Sequence, residues 1–168
     1  GYATQTALFG PRIAEQLGYR LAFSAFYGLH GSKLGWRAST GQHYVIYPAH
    51  RDGYGNDVLG SHAQHWFRGE GGLVLLLTDP WVMSAEVCAR LPLLAWIPVD
   101  HLPLIPRTHE WLTQTEAVPL AMSRRGEGVM RTNGFQPLYA PHGFDPDVFR
   151  PSEDRAAVRK SLGIPEDA

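Results

Sequence analysis

Apolar residues along this chain fall in short unbroken runs rather than in strict alternation. The runs are Leu21–Tyr27, Tyr44–Tyr47, Leu73–Leu77, Leu93–Val99, Val118–Met122 and Leu138–Ala140. Strands covered by helices on both faces read this way. The stretches between them carry helix punctuation. Thr4–Leu17 ends at Gly18, with Pro11 expected to kink or restart it. Asp57–Arg68 starts after Asn56, and Asp79-Pro80 reads as an N-cap with proline in the first turn, opening Trp81–Arg90. Pro106 opens Arg107–Thr115, Ser123 caps Arg124–Thr132, and Ser152 caps Glu153–Leu162. Strand and helix thus alternate about six times, which predicts a doubly wound α/β domain with a mostly parallel, Rossmann-like sheet and helices on both faces.

Composition narrows the class. In 168 residues, 44% are hydrophobic and only 18% charged, enough to bury a core and too apolar for a disordered chain. A net charge of −1 gives no electrostatic reason to expect nucleic acid or an anionic membrane as partner. The single cysteine, Cys88, excludes an internal disulfide framework and a multi-cysteine zinc site. The aliphatic run Leu73–Leu77 is far too short to span a bilayer, so a cytoplasmic protein, free or membrane-peripheral, with no transmembrane segment is expected. The opening at Gly1-Tyr2 and the close at Pro165–Ala168 read as the ends of a piece of a longer protein. Residues 1–150 are expected to form a domain lacking its first strand, and 151–168 a linker into a second one.

In an open parallel sheet, ligands bind beyond the carboxyl ends of the strands. That rule turns the strand list into a site list: Tyr27-Gly28, Pro48, Thr78-Asp79, Asp100-His101, Ser123-Arg124 and His142-Gly143. Asp79 and Ser123 are also ordinary helix caps. Asp100-His101 is the sharpest pair, because a histidine held at a strand end can act as acid, base or hydrogen-bond partner near neutral pH. Extended neighbours point to opposite sides, so the two are expected to face apart. Gly1, Tyr2 and Thr4 lead into the first helix, where free N–H groups suit a phosphate. Trp81 is the rim aromatic suited to stacking on a sugar or base.

Other motifs carry less. Gly53-Tyr54-Gly55-Asn56-Asp57 starts like a dinucleotide fingerprint but has Val58 where the third glycine belongs. His50, His62 and His65 invite a metal, yet no HExxH, paired cysteines or clustered carboxylates accompany them, and no metal is expected. The GxSxG and GxxxxGK[ST] patterns are missing.

Four stretches in order resemble one family: Gly1-Tyr2-Ala3-Thr4-Gln5-Thr6, Ala22-Phe23-Ser24-Ala25-Phe26-Tyr27-Gly28, Pro98-Val99-Asp100-His101, and the segment from Pro141-His142-Gly143-Phe144-Asp145 to Phe149-Arg150-Pro151. The last is similar to the N-G-V-D-x-x-x-F-x-P exit of retaining, family 4 type GT-B glycosyltransferases. The chain resembles their N-terminal half. The resemblance implies transfer of a sugar from a nucleotide-sugar to an acceptor hydroxyl with retention, the acceptor (small molecule, glycan or lipid) lying mainly on this half and the donor mainly on a second domain of the same chain. It implies no cofactor beyond the nucleotide-sugar co-substrate. It places Gly1–Thr4 near the donor diphosphate, His101 at the transferred sugar, Ser123-Arg124 at the usual strand-end serine, and His142 and Asp145 on the interdomain edge. Two departures stand out: His142 replaces the usual Asn, and Asp100 precedes His101 where relatives place His first. A non-catalytic α/β domain that binds a small anion or sugar, and a hydrolase built on the three histidines, are the competing readings.

Overall fold

A computed structural model describes residues 1–26 and 29–165, so the expected strand tip Tyr27-Gly28 lies outside the described residues. The chain opens with α1 (Tyr2–Leu17), which runs without interruption through Pro11 and stops at Gly18 in the left-handed conformation, φ 69°. Pro11 is buried, and Arg12 turns back to donate to the Leu8 carbonyl at 2.8 Å. The helix therefore does not restart at Pro11.

β1 (Ala22–Phe23) pairs in parallel with β3 (His43–Ile46), and β2 (Leu34–Arg37) pairs antiparallel with the other side of β3. After α2 (Leu59–Phe67), a second sheet forms from β4 (Val74–Leu77), β5 (Leu93–Ile97), β6 (Val118–Ala121) and β7 (Leu138–Tyr139), all parallel and in chain order. The fold is thus α/β with a four-stranded parallel sheet flanked by helices, compatible with a Rossmann-like arrangement. The remaining strands form a separate mixed sheet rather than continuing the parallel one. β2 is the element that the apolar runs did not announce.

The expected helix Trp81–Arg90 is two pieces, a 3-10 turn (Pro80–Val82) and α3 (Ala85–Cys88), because Ser84 restarts the chain by capping the Val87 N–H. α4 (Pro106–Thr115) buries Thr108, Trp111, Leu112 and Thr115, the i, i+3, i+4, i+7 stripe of a core-facing helix. α5 (Arg124–Thr132) is capped by Ser123, and α6 (Arg155–Ser161) by Asp154 rather than Ser152. The core lies against the parallel sheet. Cys88, Ala95, Ile97, Ala121 and Met130 have no exposed surface, and the Trp111 indole N–H donates to the Met83 carbonyl at 2.9 Å. No helix among the described residues is long and apolar enough to cross a membrane.

Candidate functional site

The carboxyl ends of β4, β5, β6 and β7 lie side by side on one sheet edge, and each is followed by a polar residue named above: Asp79, Asp100-His101, Ser123 and His142. Parallel pairing brings them there, since parallel strands end on the same side.

At the first tip, Asp79 takes the expected N-cap position, with Pro80 opening the 3-10 turn, but its side chain makes no capping bond. Its Oδ2 instead accepts the Tyr2 hydroxyl at 3.1 Å, reaching across from the first turn of α1. Burial, and after it the negative charges of Asp79 and Asp100, push the Tyr2 phenol up to about 12. Tyr2 therefore remains a neutral donor at any physiological pH. Thr4 and Gly1 are exposed on the same turn, and Trp81, 37% exposed, follows Asp79 in the 3-10 turn.

At the second tip, Asp100 and His101 face each other. The His101 Nδ1–H donates to Asp100 Oδ1 at 2.5 Å, and both side chains are largely exposed. The expectation that they diverge fails because β5 ends at Ile97, so both residues sit in a loop where alternation no longer applies. The hydrogen bond from His101, helped by nearby positive charge, holds the Asp100 carboxyl below its ordinary value against the opposing effect of burial. An ionised carboxylate only accepts, so it fixes a proton on Nδ1, and whenever the ring is neutral the lone pair is on Nε2. A cavity of about 10 Å³, lined among others by Val99, Leu104, Ile105 and Thr108, lies beside this pair. It has room for about one water.

The third and fourth tips are more occupied by the fold itself. Ser123 Oγ accepts the Gly126 N–H at 3.0 Å, and Arg124 pairs with Glu127 at 2.7 Å while its guanidinium stacks 3.7 Å above the Tyr139 ring. His142 stands edge-on to Trp96 at 5.3 Å. Asp145 lies 3.9 Å from Arg12 and accepts the Asp147 N–H. Gly143 is held by Gln5, which lies in the first of the resembling stretches but is not among the expected site residues. Its signal was one of phase: Gln5 lies one turn before Phe9, on the face of α1 that meets the sheet.

The histidines do not assemble into one group. Ser24 Oγ meets His62 Nδ1 at 2.9 Å and Tyr47 Oη meets His65 Nδ1 at 2.6 Å, tying α2 to the ends of β1 and β3. His50 lies instead with Asp52 and Asp57, whose ligand atoms fall within 4.8 Å of one another. This trio braces a loop. Asp52 accepts the N–H groups of Tyr54, Gly55 and Asn56, Asp57 accepts that of Arg51, and His50 Nδ1 meets the Asp52 carbonyl. Those amides overcome the opposing effect of burial and lower the Asp52 pKa.

Comparison with family profiles, with curated proteins and with solved structures gives no match.

Proposed function

We propose that this chain is the acceptor-side half of a retaining glycosyltransferase that moves a sugar from a nucleotide-sugar to an acceptor hydroxyl. One observation carries the reading: an Asp100–His101 pair with an oriented Nε2, standing in a row of polar strand tips that also includes Tyr2–Asp79 and His142. Sugar hydroxyls need directional partners that both donate and accept. A carboxylate-oriented imidazole offers a directional hydrogen-bond partner for a sugar hydroxyl, and the neutral Tyr2 phenol adds a donor to the same rim. In the transfer, the bond from the anomeric carbon to the donor phosphate breaks with its electron pair leaving on the nucleoside diphosphate. The acceptor oxygen bonds to the same face, and its proton passes to the departing phosphate. The N–H groups of Gly1 to Thr4 would face that phosphate.

The test is a screen of the full-length protein with nucleotide-sugars, reading nucleoside diphosphate release. His101→Ala is expected to lower turnover by about a hundredfold, in the range of a lost acid–base or positioning group, with the fold retained by circular dichroism. Unchanged turnover would reject the role of His101, and no release from any donor would reject the transferase.

The second reading, a non-catalytic domain for a small anion or sugar, is favoured by the engagement of Ser123, Arg124 and Gly143 within the fold, which leaves fewer tips free for chemistry. Binding of a sugar phosphate by calorimetry without nucleotide release would select it.

A further inference from the structure

Gln5 is a buried polar residue, 9% exposed, on the sheet-facing side of α1. Its carboxamide makes a reciprocal pair with one glycine: Nε2–H donates to the Gly143 carbonyl at 3.0 Å, and Oε1 accepts the Gly143 N–H at 3.1 Å. A carboxamide presents its donor and acceptor much as a peptide group does, so Gln5 gives Gly143 the partner that a neighbouring strand would supply. The approach is close. A Cβ on Gly143 would stand 3.0 Å from Phe9 Cζ and 3.1 Å from Cε2, tighter than packing allows without movement of the ring.

The contacts around this pair extend it in both directions. Phe9 meets the Trp96 ring edge-on at 5.0 Å, and Trp96 donates to the Ala140 carbonyl at 2.8 Å and faces His142. Toward the amino end of α1, three residues before Gln5, the Tyr2 hydroxyl reaches Asp79. One helical turn therefore touches the tip of β4 through Tyr2 and the segment after β7 through Gln5.

We propose that Gln5 is a positioning residue: its carboxamide locks Gly143 to the first turn of α1, so that Gly1–Thr4 and His142–Asp145 are held as one body across the tips of β4 to β7. The inference rests on the transferase reading only for its effect on turnover, since the lock itself is measurable without any activity.

The experiment uses the chain with Gln5→Glu and Gln5→Met, following the Gly143 amide by hydrogen-exchange NMR as a protection factor at pH 8 and pH 5. A protonated carboxylic acid has one donor and one acceptor in the same places as the carboxamide, whereas a carboxylate opposes the Gly143 carbonyl. Gln5→Glu is therefore expected to lose protection at least about tenfold at pH 8 and to regain it at pH 5, where a buried carboxyl is neutral. Gln5→Met is expected to lose it at both. Gly143 protection unchanged in Gln5→Met overturns the lock, and so does a Gln5→Glu that is still unprotected at pH 5, whether or not Gln5→Met folds. In full-length protein, Gln5→Met is expected to lower kcat about tenfold or more, as small misplacements do. A wild-type protein without turnover rejects the transferase and leaves the exchange result standing; normal turnover beside lost protection rejects the positioning role alone.

Discussion

Around the four parallel strands, mostly aliphatic side chains bury one another, while the three-stranded mixed sheet is held largely by rings and their hydroxyls. Ile97, Ala95, Ala121 and Met130 are fully enclosed against the parallel sheet. In the mixed sheet, Phe23, Trp36 and Tyr44 pack at 5.3–6.0 Å between ring centroids. Tyr47 there is bound to His65, stacked with His62 at 4.5 Å and overlain by the Lys33 ammonium at 4.9 Å. The first region depends on volume and the second on proton positions. The candidate site is built on the first, which suits a row of strand tips that must hold still.

The largest expected effect is in the aliphatic region. Ile97→Ala should cost about 2–5 kcal/mol in urea denaturation, because a fully enclosed side chain leaves a cavity. Tyr47→Phe should cost about 1 kcal/mol by the same assay, since it removes a hydroxyl and leaves the His65 ring without that partner. A Tyr47→Phe loss larger than that of Ile97→Ala would overturn the contrast. Ser123→Ala should cost about 1 kcal/mol by loss of the α5 cap, and it should loosen the third tip without touching the mixed sheet. The smallest effect is pH-linked. Burial, helped by the charges of His65 and Lys33, lowers the His62 pKa from 6.5 despite the opposing Asp57. The unfolded chain then binds the proton more readily, so the contribution of this group is complete above pH 6.5 and is lost as pH falls from there through the lower folded value. Hydrogen-exchange protection factors should fall in α2 and β3 between pH 7 and 5 while those of β5 and β6 change little; an equal fall in both sheets would erase the distinction.

Local signals carried most of the fold. β4 to β7 follow apolar runs, and the ends at Gly18, Pro106 and Ser123 follow caps whose chemistry lies within a few residues. β2 escaped because it is four residues long, with Leu34 and Trp36 inward and Gly35 and Arg37 outward, an alternation too brief to stand out. The division into two sheets was equally hidden, since pairing between distant strands leaves no mark in any one run. The site divides along the same line. Its rim positions were legible from strand ends, but their partners were not. The Tyr2–Asp79 bond joins residues 77 apart and the Gln5–Gly143 pair residues 138 apart. The apolar run of β5 continues to Val99, two residues past the strand's end at Ile97, which hides the loop that turns Asp100 and His101 toward each other.

Cys88 offers a last consequence. It is the chain's single cysteine, has no exposed surface, and burial pushes its thiol up to about 11. Almost no thiolate exists at neutral pH in the folded protein, and a reagent has no path to it. Any alkylation by a maleimide, or thiol–disulfide exchange with a dye, thus reports opening of the layer beneath the strand tips, and the chain carries its own alarm for that event.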